Sequence, residues 1–133
     1  MGQRGGLIIV QADWVRQNGN TDALQFLWIE LTNQCNLQCS HCYAESGPHT
    51  AGRNTLSSSQ YRQVIIDAYE AGCRQIQFIG GEPTLNPDLP ALIQLCSDLS
   101  YTFIEVFTNL TRLSNELVAC FISHTLLEVF LTR

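Results

Sequence analysis

Residues 35–42 read CNLQCSHC, which places Cys35, Cys39 and Cys42 within eight residues, separated by gaps of three and then two. Thiolates are soft ligands, so close spacing of this kind points to a metal centre. Three is the wrong number for a closed structural zinc site, which takes four ligands. It suits a cubane iron–sulfur cluster in which three irons are held by cysteine and the fourth stays open to an exogenous ligand. His41 would complete a Cys₃His zinc knuckle on paper. However, Cys39, His41 and Cys42 are so nearly adjacent that they would strain to reach one tetrahedral ion, and there is no second C-x-x-C pair. Zinc and plain buried thiols are the alternatives to the cluster.

Two other stretches carry unusual residues. GGEPT occupies positions 80–84, and a Thr-Asn pair stands at 108–109. Gly80 and Gly81 either lend a strand-to-helix turn its backbone freedom or expose backbone groups to a ligand's ammonium, with Glu82 adding charge. The background composition narrows the function further. The formal net charge is −5, and all seven basic residues are scattered arginines. With no basic stripe the footprint of a nucleic-acid binder is missing, and with no lysine a Schiff-base or P-loop lysine is excluded. The apolar stretch GLIIV near the N-terminus is too short for a signal-peptide core or a membrane span, so a cytoplasmic location is expected. In a reducing compartment six cysteines read as metal ligands or buried thiols rather than as a disulfide framework.

The elements that must position these residues alternate. Residues 1–23 read as a loosely structured lead-in. ALQFLWIELT is strand-like, with Leu27, Ile29 and Leu31 on one face and Phe26, Trp28 and Glu30 on the other; apolar residues on both faces predict a buried strand. SSSQYRQVIIDAYEAG has helical spacing, a capping box from Ser57 and Gln60, and Gly72 as a stop. RQIQFIGG is a second strand. NPDLPALIQLCSDL is a second helix, with Asn86 as its cap and Pro87 at its first position. YTFIEVFTN, SNELVACFISH and LLEVFLT supply a third strand, a third helix and a fourth strand. The fold class is therefore α/β, with parallel (βα) repeats forming a truncated partial TIM-type barrel of about four strands and three helices. A fourth strand with no helix after it is an exposed edge, and self-association is expected. In barrels of this kind chemistry sits at the C-terminal ends of the strands. The cysteine loop, GGEPT and Thr108-Asn109 follow the first, second and third strands, so all three converge on one rim.

C-x₃-C-x₂-C after a first strand, GGEPT after the second and TN after the third together resemble the radical S-adenosylmethionine (radical SAM) superfamily, over residues 24–133. The run LWIELTNQCNLQCSHCYAESGP is most similar to the branch with SPASM-type C-terminal extensions, which includes maturases of ribosomal peptides. The resemblance implies that Cys35, Cys39 and Cys42 ligate a 4Fe–4S cluster whose open iron is chelated by S-adenosylmethionine. It implies that Gly80, Gly81 and Glu82 engage the methionyl ammonium, that Tyr43 packs near the adenine, and that Thr108 and Asn109 lie near the cofactor. His41 takes a position that is often aromatic and so has a packing role. The implied chemistry is one-electron reduction of the cluster by a flavodoxin- or ferredoxin-type partner. Cleavage of the cofactor then gives a 5′-deoxyadenosyl radical, which abstracts hydrogen from a peptide or small-molecule substrate.

The chain departs from that pattern in three ways. The usual glycine after Thr-Asn is Leu110. A six-stranded partial barrel would need two more strands than are visible here. These residues include no cysteine-rich extension of the SPASM type, and Cys73, Cys96 and Cys120, beside apolar neighbours in or after helices, read as buried thiols. Peptide modification is the leading expectation. Cofactor biosynthesis, another small-molecule reaction, and a cluster-binding fragment without turnover are the alternatives.

Overall fold

A computed structural model describes residues 24–50 and 56–132. The lead-in expected over residues 1–23 lies outside the described residues. Four strands alternate with three helices: β1 (Phe26–Glu30), α1 (Ser58–Glu70), β2 (Gln75–Ile79), a 3₁₀ turn (Pro83–Leu85), α2 (Leu89–Asp98), β3 (Phe103–Thr108), α3 (Asn115–Ser123) and β4 (Leu127–Leu131). The strands form one parallel sheet in the order β1-β2-β3-β4. This is the architecture expected of a partial barrel of βα units. No helix among the described residues is long and apolar enough to cross a membrane.

The helices begin where the chain satisfies their free N–H groups. Ser57 accepts from the backbone N–H of Gln60, and the Gln60 side chain accepts from that of Ser57, so the expected capping box is formed. Ser114 caps α3 with one such bond, its hydroxyl accepting the backbone N–H of Leu117, without the reciprocal half of a box. The start of α2 differs from expectation. Asp88 is its N-cap, and it makes no side-chain cap bond. Asn86 sits two residues earlier and reaches elsewhere: its Nδ2 donates to the carbonyl of Leu31 at 3.0 Å, and its Oδ1 accepts from Asp88 N–H at 2.9 Å. The Leu31 carbonyl, which also accepts from the Tyr61 hydroxyl at 3.2 Å, thereby ties the end of β1 to both α1 and the segment before α2.

Only one face of the sheet is fully covered. Leu27, Ile29, Ile76, Phe78, Ile104 and Val106 pack against Tyr61 and Ile65 of α1, Leu92 and Ile93 of α2 and Leu117 of α3 in a single core. The opposite face carries Phe26, Trp28 and Glu30 on β1, Gln75 and Gln77 on β2, Phe103, Glu105 and Phe107 on β3, and Glu128 and Phe130 on β4. Phe26 meets Trp28 edge-on, and Phe107 lies 5.5 Å from Phe130 between ring centroids. The expectation that β1 is buried on both faces is therefore corrected. Its helix-facing residues are buried, while Phe26, Trp28 and Glu30 are half-buried, because the three helices all lie on the other side. The Nε1 of Trp28 is buried with no hydrogen-bond partner among the described residues, and Gln77 donates to Glu105 across the middle of this face.

Candidate active site

The loop after β1 is built from its own backbone. Thr32, 4% exposed, accepts the N–H of Gln34 on its hydroxyl and so turns the chain into the cysteine segment. Its carbonyl takes the N–H of Gly81 at 2.8 Å, and the carbonyl of Gln34 takes the N–H of Glu82 at 2.8 Å. The cysteine loop and the glycine loop are thus zipped together backbone to backbone. This contact explains the glycines. A Cβ on Gly81 would lie 2.2 Å from the Gln34 carbonyl oxygen, and one on Gly80, whose φ is +145°, would lie 2.5 Å from that of Thr32. Neither neighbour is a flexible side chain that could move aside.

Glu82 fastens a third loop to these two. Its carboxylate is 1% exposed. One oxygen accepts from the N–H and hydroxyl of Thr84 and from the hydroxyl of Thr108; the other accepts from Asn109 N–H at 2.8 Å. A carboxylate buried this deeply is held by charge-assisted bonds to the chain's own donors. The same residue borders the cavity that the loops enclose, on the side where a ligand ammonium is expected. Asn109 continues the network. Its Nδ2 donates to Asn36 Oδ1 at 3.0 Å, and Asn36 in turn donates to Thr111 at 2.7 Å.

These loops enclose a cavity of about 310 Å³, a volume within the range of small-molecule sites. Cys35, Cys39, Cys42, Tyr43, Gly80, Gly81, Glu82 and Asn109 all line it. Of the nine residues expected at the site, Thr108 alone does not; it is fully buried behind Glu82. Cys35 is buried, Cys42 half-buried and Cys39 exposed, and His41 stands exposed at the cavity edge. Ile79 and Phe107 add apolar walls. No three His, Cys, Asp or Glu side chains among the described residues converge on a single-ion site. A cubane asks for less convergence, because each cysteine goes to a different iron. Three thiols on one loop around a cavity of this size fit such a cluster as a donor set. The carbonyls of Gly80 and Gly81 receive no hydrogen bond from the described residues.

Sequence reasoning missed Asn36, Thr84 and Thr111, which hold the three loops in register. Their signal was present in the density of short hydrogen-bonding side chains, QCN after β1 and TNLT after β3, which favour loops with side-chain-to-backbone bonds.

Known proteins resemble this chain in two ways. A probable GTP 3′,8-cyclase of Methanococcus maripaludis is 32% identical over 81 residues, covering 61% of this chain and 27% of the relative. A 7,8-dihydro-6-hydroxymethylpterin dimethyltransferase of Methanocaldococcus jannaschii is 33% identical over 90 residues, covering 65% and 17%. The chain spans about a quarter or less of the length of the curated relatives it matches. In fold it matches Streptococcus suis SuiB bound to S-adenosylmethionine, with a TM-score of 0.73 at 19% identity over 89% of this chain and 27% of SuiB. The family model for the radical SAM superfamily matches residues 29–128. Its members are enzymes that use a 4Fe–4S cluster and S-adenosylmethionine, and this chain, with its cysteine loop and glycine loop zipped around one cavity, belongs to the radical SAM superfamily.

Proposed function

We propose that residues 24–133 form the cofactor-binding part of a radical SAM enzyme that begins its reaction by abstracting hydrogen from a peptide. The observation that carries this reading is the single cavity walled both by the three cysteines and by the glycine pair. Cys35, Cys39 and Cys42 would hold three irons of the cluster, leaving the fourth for the methionyl group of S-adenosylmethionine. The carbonyls of Gly80 and Gly81 offer acceptors for its ammonium, and Tyr43, 79% exposed at the rim, offers a ring face to its adenine. Bound together and supplied with an electron by a flavodoxin- or ferredoxin-type reductant, the cluster and cofactor supply cleavage of a sulfonium and hydrogen abstraction from carbon. The chain's own contribution is to fix the three loops before anything binds, through Glu82, and to give the cavity apolar walls with Ile79 and Phe107.

Charge supports the peptide reading over a nucleotide. The sheet face opposite the helices carries Glu30, Glu105 and Glu128 and no cationic residue on any of the four strands. A nucleoside triphosphate approaching it would meet like charge, whereas peptide N–H groups and basic side chains would find acceptors. SuiB has also been seen with its precursor peptide SuiA, again at 19% identity, with a TM-score of 0.72 over 89% of this chain and 26% of SuiB.

The test is electron paramagnetic resonance of the anaerobically reconstituted, dithionite-reduced chain. A reduced-cluster signal that changes when S-adenosylmethionine is added is the expected result. A cluster signal indifferent to the cofactor would remove the cofactor site, and no cluster in a folded chain would remove the ligand set. For the substrate, deuterium transferred into 5′-deoxyadenosine from a labelled peptide encoded beside the gene supports the reading; transfer from labelled GTP overturns it.

A further inference from the structure

We infer that Asn109 raises the reduction potential of the cluster by donating its side-chain amide to the sulfur of Cys35, an inference that rests on Cys35 being a cluster ligand. Asn109 Nδ2 lies 3.7 Å from Cys35 Sγ and 3.0 Å from Asn36 Oδ1, so its two N–H bonds have one acceptor each. The amide cannot turn over. Its Oδ1 accepts from both the N–H and the hydroxyl of Thr111, at 3.0 and 2.6 Å, and a flipped amide would set its NH₂ against those donors. Its backbone cannot swing away either, because its N–H is held by buried Glu82. The donor is therefore fixed on the sulfur, in a residue only 9% exposed.

Cys35 is singled out among the three cysteines. Its sulfur also accepts from Leu37 N–H at 3.4 Å, whereas no described residue donates to the sulfur of Cys39 or Cys42. An electron added to an iron–sulfur cluster puts negative charge on its sulfurs. An N–H donor thus stabilises the reduced state more than the oxidised one, and burial strengthens the effect. Removing the donor makes the cluster harder to reduce.

The experiment is a potentiometric titration of the reconstituted full chain, followed by electron paramagnetic resonance, with iron content measured alongside. Asn109→Leu removes the donor at similar volume, and Asn109→Asp replaces it with an acceptor of the same shape. With iron content held, the reduced-to-oxidised ratio at a fixed potential should fall about tenfold in Asn109→Leu. That corresponds to a midpoint about 59 mV lower for a one-electron couple. The fall should be larger in Asn109→Asp. Unchanged midpoints in iron-replete variants would overturn the inference. Should both variants lose their iron, Thr111→Val decides: it keeps Asn109 but loosens its carbonyl, so a lowered midpoint supports the inference and an unchanged one overturns it. Cys35→Ala tests the underlying reading separately, since full iron content there would dismiss Cys35 as a ligand whatever Asn109 does.

Discussion

The six cysteines divide between two environments, three in the loop after β1 and three beneath the helices. Cys35, Cys39 and Cys42 face the cavity. Cys73, Cys96 and Cys120 are buried and unpaired, and the first two are fully covered. Burial pushes all three helix-side thiols up from their ordinary range, Cys96 most strongly, with Cys73 adding to it; at Cys120 the nearby Glu116 adds to burial. A thiol that resists ionisation is a poor nucleophile and a poor ligand. Position within the βα unit thus decides what a cysteine can do: at the strand's C-terminal end it meets a cavity, and on the helix side it is core.

Exchanging alanine for one thiol of each set gives the largest contrast. Cys39→Ala should reduce cluster iron to background while barely moving the unfolding midpoint of the metal-free chain, because Cys39 is exposed. Cys96→Ala should keep its iron and lose about 1–2 kcal/mol of stability to the cavity left behind. Iron analysis beside urea denaturation reads both. A folded Cys96→Ala protein without iron would break the division.

Gly81→Ala is next in size. Its new Cβ would meet the Gln34 carbonyl at 2.2 Å, so either the cysteine loop or the glycine loop must move. The expected cost is about 1–3 kcal/mol, with a fall in iron loading. Gly47→Ala is the control, since the nearest atom to its Cβ is 3.8 Å away and its φ is ordinary. It should change stability by less than about 0.5 kcal/mol. Equal losses in the two variants would show that the zipped backbones do not matter to the site.

The helix-side thiols also predict a pH dependence. Above the ordinary thiol value of 9.0 the unfolded chain releases the Cys96 proton while the folded chain keeps it. Protons bound are then fewer in the unfolded state, so stability falls as pH rises, by up to about 1.4 kcal/mol per unit for one such thiol, and is unaffected below that range. Cys96→Ala should flatten the slope of the urea midpoint above about pH 9. Part of the slope should remain, because burial raises the hydroxyl of Tyr101 in the same way. An unaltered slope would mean that Cys96 ionises as readily in the folded chain as in the unfolded one.

Most of this architecture was legible because each βα unit carries local signals: the Ser57–Gln60 box, Ser114 as a cap, and alternating apolar residues on every strand. The site was legible because its residues occupy three strand ends in sequence order. Asn86 was misread because one residue can serve either a helix or a neighbouring loop, and only the fold reveals that the Leu31 carbonyl lies within reach. The structural part played by Glu82 was hidden for the same reason: only the fold shows Thr84, Thr108 and Asn109 converging on the carboxylate that stands beside the glycine pair. Long-range pairings of polar side chains leave no periodic trace in a sequence.

A smaller effect, apart from the Gly47 control, concerns backbone rather than thiols, and it sharpens the contrast between the two regions. Leu110 has φ +56°, in the left-handed region, where the resemblance to radical SAM proteins leads one to expect glycine. Its N–H is drawn to the hydroxyl of Thr108 at 3.1 Å, and it directly follows the Asn109 that clasps Cys35. A left-handed conformation costs an L-residue about 1–2 kcal/mol. Glycine relieves that cost but orders a more flexible unfolded chain, which takes back about half of it. Leu110→Gly should therefore stabilise the metal-free chain by about 0.5–1 kcal/mol in urea. If iron loading is unchanged, the strain is borne by the fold alone and the site is indifferent to it. If loading falls while stability rises, the Leu110 side chain itself helps to hold the cysteine loop, and the cavity side of the molecule extends one residue further than its lining shows.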